Sequence, residues 1–175
     1  SEAASEAAGL AVATLHKLSK GGSSEVRAAL GVSSVATQLL VDQLVSSGSS
    51  ADEKQAAASS LRQLCGEPAA RNVVVRGGGV ATLVALARAE GIETPSDEHG
   101  RIDMRSRQRK ETAPALLTAL AAPPHSAAVA DAGGTAVLIE ALEHGSAELV
   151  LAAVGALGPL LEVPSGRDAM VAAGV

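Results

Sequence analysis

The stretches RNVVVRGGGVATLVAL (71–86) and SAAVADAGGTAVLIEAL (126–142) share one pattern: a short apolar segment, a glycine pair, and a second apolar segment. The first half recurs in RDAMVAAGV (167–175). A weaker copy, VRAALGVSSVATQLL (26–40), has serines where the glycines would stand. The first glycines of the pairs are Gly78, Gly133 and Gly174, so they are spaced by 55 and 41 residues. This self-similarity predicts an internal repeat.

A second, independent pattern closes on leucine. It occurs in ATLHKL (13–18), SSLRQL (59–64), ALLTAL (115–120) and GALGPL (155–160), and the closing leucines are 46, 56 and 40 residues apart. The distance from a closing leucine to the next glycine pair is 14, 13 and 14 residues, so the two patterns keep one frame. The extra length of one copy therefore falls between about residues 91 and 110. A unit near 40 residues is typical of helical arrays.

Each unit is predicted to contain three helices, which we name H1, H2 and H3. H1, for example 69–76, ends at glycines that supply the positive φ of a sharp turn. H2 has apolar residues at helical spacing, and H3 is the longest. Helix starts are predicted at Ser50, which has Glu53 at capping-box spacing, and at Ser146 and Ser165.

AARNVVVRGGGVATLVALA and SAAVADAGGTAVLIEALEHGSAELVLAAVGALGPL resemble armadillo repeats. The resemblance implies an all-α fold, a right-handed α–α superhelix of the armadillo or HEAT type with about four repeats. The glycine pair favours armadillo repeats over two-helix HEAT repeats, and a mixed array stays open. The predicted parts are an H3 at 2–18, repeats at 25–65, 69–121 (with an inserted loop at 91–110) and 125–162, and a partial repeat at 165–175. Because both ends fall inside a repeat, we expect either a portion of a longer solenoid or a partner that covers the ends.

Composition narrows the classes of function. The net charge of −5 disfavours a nucleic-acid binder, which needs a dense field of Lys and Arg. There is no Phe, Tyr or Trp, and 37 residues are alanine, which favours closely packed helices and disfavours aromatic stacking sites. The single cysteine predicts a reducing, intracellular compartment. Within it, the armadillo resemblance implies a cytoplasmic or a cytoskeletal and ciliary site. No apolar run approaches about 20 residues, so membrane insertion is not predicted.

The armadillo resemblance also locates a candidate groove along H3. In the family's peptide-binding members, an Asn near the end of H3 binds the peptide backbone and a Trp one turn earlier packs between its side chains. Here the Asn position holds Lys17, Gln63, Ala119 and Pro159, and the Trp position holds Ala13, Ser59, Ala115 and Gly155. Extended import-signal peptides are therefore disfavoured. A shallow groove of small residues suits a helix or a broad contact with a rigid neighbour.

Two further features lie in or beside H3 helices. Pro159 predicts that the last H3 ends early near Gly158, with a kinked, reshaped groove as the alternative. The insertion carries a basic cluster, composed of Arg101, Arg105, Arg107, Arg109 and Lys110. This cluster could contact an acidic partner or phosphate, although a solvated loop is the more common role of a charge run. The C-terminal end of the insertion could also extend the following H3 helix backwards.

No catalytic, cofactor or metal site is predicted. His16, His99, His125 and His144 lack metal-ligand spacing, and Cys65 is placed near a helix C-terminus, where the dipole does not favour a thiolate. The predicted function is a non-catalytic protein–protein interaction scaffold, or a structural subunit of a larger complex. Two alternatives stay open: a regulatory or adaptor segment of a longer protein of signalling, transport or cilia, and an anion or phosphate binder that uses the basic insertion.

Overall fold

The computed structural model describes residues 2–91 and 103–174, with side chains from Leu10 onward. These residues form eleven helices and no strand. In chain order they are α1 (Glu2–Gly21), α2 (Ser24–Val32), α3 (Ser34–Val45), α4 (Ala51–Leu64), α5 (Pro68–Arg76), α6 (Gly79–Glu90), α7 (Met104–Leu120), α8 (Ser126–Asp131), α9 (Gly134–His144), α10 (Ala147–Leu161) and α11 (Pro164–Ala173).

Helix lengths recur along the chain in the order short, medium, long. The H1 helices α2, α5, α8 and α11 have 6 to 10 residues. The H2 helices α3, α6 and α9 have 11 or 12 residues. The H3 helices α4, α7 and α10 have 14 to 17 residues, and α1, which opens the chain, has 20.

The chain consists of two compact units, and the boundary between them follows Gly79. In the first unit α3 packs against α4 and α5, and α4 packs against α1. In the second unit α10 packs against α7 and α9, and α9 also packs against α11. Each unit thus stacks one H3 helix on another, α4 on α1 and α10 on α7.

The cores of both units are built without aromatic rings. Fully buried leucines form their centres, with valine and alanine between them: Leu40, Leu44, Leu61 and Leu64 in the first unit, and Leu83, Leu116, Leu117, Leu120, Leu138 and Leu160 in the second. The alanine and valine side chains between these leucines are small, so neighbouring helices can approach closely. Many dispersion contacts between close-packed aliphatic side chains then stabilise a core that contains no rings.

The glycine pairs form the corners between H1 and H2. Gly78, Gly133 and Gly174 have φ values of 76°, 82° and 76°, so the predicted positive φ is confirmed at all three. The second glycine of a pair has a different role. A Cβ on Gly134 would lie 2.6 Å from Cγ1 and 2.8 Å from the carbonyl oxygen of Val129, so only glycine fits there. Gly79 meets Val74 in the same way.

Where serines replace the glycines, the corner has another geometry. Ser33 joins α2 to α3 in an extended conformation and caps α3, because its side chain accepts a hydrogen bond from the Ala36 amide. The two helices are bent by 80° at this residue. Among the described residues no single helix is long and apolar enough to cross a bilayer, and α2 with α3 reaches that length and composition only as this bent pair.

Part of the predicted insertion is helical. α7 begins at Met104 with Asp103 as its N-cap. The prediction of a loop over all of 91–110 was therefore wrong for residues 104–110, and the alternative, that the end of the insertion extends H3 backwards, is confirmed. Asp103 accepts a hydrogen bond from the Arg105 amide, and the unbranched side chains that follow are good helix formers. Residues 92–102, with Arg101 and His99, lie outside the described residues.

Two predictions about helix ends were wrong. α10 continues through Pro159 to Leu161. Proline removes only the bond to the carbonyl of Gly155, and Gly155 is exposed, so water can bond that carbonyl. α11 begins at Pro164 instead of after Ser165, because proline at the first helical position needs no amide hydrogen.

Candidate functional site

The predicted groove positions lie on the H3 helices with their side chains free of the core. Four are exposed: Ala13 and Lys17 on α1, Gln63 on α4 and Gly155 on α10. Three are half-buried: Ser59 on α4, and Ala115 and Ala119 on α7. The closing leucines that follow them on α4, α7 and α10 are buried. We call these seven residues the H3 face.

In the first unit the H3 face is polar. Lys17 presents an ammonium group and Gln63 an amide, and both side chains are exposed. Between them α1 and α4 are joined by a hydrogen bond of 2.7 Å from His16 Nδ1 to Ser60 Oγ. The Ser60 hydroxyl also lies 2.9 Å from the Ala56 carbonyl oxygen. His16 is therefore held as part of the helix contact.

In the second unit the H3 face is small and apolar. Ala115 and Ala119 present only methyl groups, and Thr118 beside them donates its hydroxyl to the Ala115 carbonyl at 2.7 Å. A Cβ built on Gly155 would meet nothing within 4 Å, so the surface there is open. This part of the face can make close, broad contact but offers few side-chain hydrogen bonds.

A small open cleft lies beside the polar part of the H3 face. It has a volume of about 160 Å³ and is lined by Ser24, Arg27, Gln63 and Glu67, among others. Pockets for drug-sized ligands have volumes of roughly 300 Å³ or more. The cleft is therefore smaller than a pocket for a drug-sized ligand.

The residues of the predicted basic cluster that the structure describes lie on different sides of α7. Arg105 and Arg109 are one helical turn apart and exposed. Arg107 lies on another side of the helix, 3.7 Å from Glu111, and Arg109 lies 3.3 Å from Glu90 on α6. Carboxylates thus neutralise part of the cluster. Lys110 is half-buried, and Arg101 lies outside the described residues.

The candidate reactive groups take part in packing. Cys65 is buried at the C-cap of α4, and burial raises the pKa of its thiol to about 12 even though Arg71 is near. A thiol in this state is not a nucleophile at neutral pH. In the part of the chain that the structure describes, no three His, Cys, Asp or Glu side chains come together to hold a metal ion.

Sequence reasoning missed two sets of polar contacts between helices. One joins Glu111 on α7 to Ser146 at the start of α10. The other recurs: the fourth residue of three H1 helices is an arginine that donates to a carbonyl at the end of the preceding H3. The bonds are Arg27 to Gly22 (2.7 Å), Arg71 to Cys65 (3.1 Å) and Arg167 to Leu161 (3.0 Å). Aligning the H1 segments on their glycine corners would have revealed the arginines, although not their acceptors.

Comparison with known proteins identifies the fold class. Neither a protein-family model nor a curated protein matches this chain. The chain is similar to the crystal structure of an engineered protein from a structural genomics consortium, with a TM-score of 0.58 and 25% identity. The similarity covers 93% of this chain and 68% of that one. The fold is an all-α solenoid. This likeness, with eleven helices and no strand in the described residues, confirms the predicted class.

Proposed function

We propose that this chain is an armadillo-type array that acts as a non-catalytic scaffold and holds a partner protein on its H3 face. The armadillo assignment is supported by the order H1, glycine corner, H2, H3. It is also supported by the left-handed glycines Gly78, Gly133 and Gly174 at the same place in three repeats. Two-helix repeats have no such corner.

The observation that carries the function is the recurrence of the H3 face. At equivalent positions on four H3 helices, side chains are exposed or half-buried while the closing leucines of three of these helices are buried. Residues such as Ala115 and Gly155 therefore add little to the core of their own unit. In each unit, positions that recur along the sequence and are not used for packing are suited to binding another macromolecule.

The chemistry of the face favours a broad or helical partner surface over an extended peptide. An extended backbone needs paired amide groups, and among the seven positions only Gln63 supplies an amide side chain. Ala115, Ala119 and Gly155 allow close approach of a helix or a rigid neighbour in a multi-subunit assembly. The ammonium of Lys17 would meet an acidic group of that partner.

The proposal includes no catalytic or cofactor role. It is supported by the raised pKa of Cys65 and by the engagement of His16 with Ser60. An intracellular site is part of the same proposal and rests on the single cysteine. Its placement in the cytoplasm or on the cytoskeleton, cilia included, rests on the armadillo resemblance. An anion-binding role for the basic cluster has less support, because Arg107 and Arg109 face carboxylates.

Affinity purification with charge variants of the face tests the proposal. The tagged chain is incubated with a lysate of its cells of origin, and co-purifying proteins are identified for the wild type and for Lys17→Glu with Gln63→Glu. The control is Arg76→Glu with Asn72→Asp. It makes the same change of charge at exposed positions of α5, outside the H3 face.

We expect the face variant to lose at least one co-purifying protein that the control retains. Identical sets of proteins for wild type, face variant and control would overturn the assignment of the H3 face. Tight binding of a basic import-signal peptide would contradict the expected partner class. Circular dichroism of each variant shows that the fold is kept.

A further inference from the structure

Glu67 is the N-cap residue of α5, yet its carboxylate does not cap the helix. The side chain makes no cap hydrogen bond, and among the described residues no hydrogen bond or ion pair engages the carboxylate. Its stem packs against α2, because a Cβ on Gly31 would lie 2.8 Å from Cγ and 3.1 Å from Cβ of Glu67. Glu67 is half-buried. A partly desolvated carboxylate without a bonded partner is unfavourable for the folded chain.

The equivalent position of another repeat shows that packing here does not require a carboxylate. Glu67 lies three residues after the closing leucine Leu64, and Val163 lies three residues after Leu160. Val163 is the N-cap residue of α11, is half-buried and likewise makes no cap hydrogen bond. An apolar side chain is thus sufficient at this helix start, and the charge of Glu67 needs another explanation.

The Glu67 side chain lines the small cleft beside the polar part of the H3 face. Arg27 of α2 and Gln63 of α4 line the same cleft. Arg27 Nη1 donates to the Gly22 carbonyl at 2.7 Å, which leaves other N–H donors of the guanidinium for a further acceptor. No ion pair joins Arg27 to Glu67, both of which lie in the described part of the chain. The space between the two charged groups is therefore open to a group that bridges them.

A neutral amide matches this cleft better than a charged group does. An anion that is attracted by Arg27 is repelled by Glu67, and for a cation the two effects are exchanged. A side-chain amide carries an acceptor oxygen for Arg27 and N–H donors for Glu67. The cleft has a volume of about 160 Å³. An engineered cavity of about 150 Å³ holds benzene, so the end of one amide side chain fits.

We propose that this cleft binds the amide side chain of an Asn or Gln of the partner protein. The amide oxygen accepts a hydrogen bond from Arg27, and the amide nitrogen donates one to Glu67. Gln63 belongs to both the cleft and the H3 face, so the cleft is a subsite of that face. The inference therefore rests on the function proposed for the H3 face and specifies one group of its partner.

NMR titration of the 175-residue chain with capped amino acids tests the subsite. The probes are the N-acetyl methylamide derivatives of glutamine, glutamate and methionine, which share their main-chain groups and differ only in the side chain. The glutamine derivative should shift the backbone amide signals of Ala28 and Gly66, which line the cleft. It should bind about tenfold more tightly than the other two, since only its side chain satisfies both charged groups.

Three variants show whether the cleft is responsible. Glu67→Gln should weaken binding of the glutamine derivative about tenfold, because the hydrogen bond to a charged group is lost. Ala28→Leu should abolish binding, since the larger side chain fills the cleft while both charges remain. Glu25→Gln is the matched control: it removes a carboxylate at an exposed position of α2 that does not line the cleft, and it should bind like the wild type. Circular dichroism checks that each variant is folded.

The outcomes separate the subsite from the function of the H3 face. Equal binding of the three derivatives, or unchanged binding by Glu67→Gln, would overturn the subsite. So would a glutamine derivative that causes no shifts, as expected if water alone bridges Arg27 and Glu67. The titration contains no partner protein, so these results leave the affinity purification unaffected. If the glutamine derivative binds as expected and no protein depends on the H3 face, the proposed function fails and the cleft remains an amide site.

Discussion

Glu111 and Ser146 connect two successive H3 helices through both oxygens of one carboxylate. Oε1 of Glu111 accepts the backbone amide hydrogen of Ser146 at 2.6 Å, and Oε2 accepts its hydroxyl hydrogen at 2.8 Å. The Ser146 hydroxyl in turn accepts from the Leu149 amide. A side chain of one repeat thus caps the H3 helix of the next repeat, at the end where the helix dipole favours negative charge.

Replacing Glu111 should destabilise the chain more than replacing Ser146. We expect Glu111→Ala to lower the free energy of unfolding by about 2 kcal/mol, the usual contribution of a charge-assisted hydrogen bond in a largely buried place. Ser146→Ala should cost about 1 kcal/mol, as for other N-caps. Urea unfolding followed by circular dichroism measures both.

The control and the double variant show which hydrogen bond accounts for the loss of unfolding free energy. Glu53 accepts hydrogen bonds from the Ser50 amide and hydroxyl through Oε2 alone, and it is exposed, so Glu53→Ala should lower the free energy of unfolding less than Glu111→Ala. In the Ser146→Ala background, Glu111→Ala should still destabilise, because the backbone amide of residue 146 loses its acceptor. If that second loss were zero, the backbone bond would contribute nothing to stability.

Glycine-to-alanine changes at Gly134 and Gly155 should have opposite signs. A Cβ at Gly134 collides with Val129, so Gly134→Ala should destabilise by about 2 kcal/mol, as overpacking does. Gly155 is helical, and nothing lies within 4 Å of an added Cβ, so Gly155→Ala should stabilise by about 0.5–1 kcal/mol. Thermal unfolding of the two variants compares them directly. A stabilised Gly134→Ala variant would contradict the close approach at the corner.

Burial of Cys65 should make stability fall at high pH. The pKa of its thiol is raised from 9.0 to about 12 in the folded chain, so the unfolded chain releases the proton first. The contribution to stability is complete below about pH 9 and is lost as the pH rises toward 12. The slope is at most about 1.4 kcal/mol per pH unit. Urea unfolding at several pH values should show a smaller decline for Cys65→Ala than for the wild type, and equal declines would mean that the thiol does not contribute.

The features predicted correctly from the sequence are those that depend on neighbours along the chain. The φ of Gly133 follows from the glycine pair itself, and the cap of α4 follows from Ser50 and Glu53. The capping box forms because both partners lie within one turn. Helical spacing likewise predicted the buried side of α6, where Val80, Leu83, Val84 and Leu86 are buried, whereas Val35 on α3 is 70% exposed.

The features that were missed depend on contacts between distant residues. Glu111 meets Ser146 across 35 residues, and no local pattern indicates that pairing. Ser165 resembles a helix start, yet its hydroxyl donates to Asp131 at 2.6 Å, and Pro164 begins the helix. The start of α7 was predicted only as an alternative, a backward extension of H3. Its first two turns are highly charged, and a charged run resembles a loop when only apolar spacing is counted.

A core without rings also leaves the protein optically silent in the near ultraviolet, since it has no Trp or Tyr. Any tryptophan introduced by mutation would be the sole intrinsic fluorophore. Leu151→Trp would place that fluorophore where the side chain has room. Its emission would report directly whether water or another helix lies against α10.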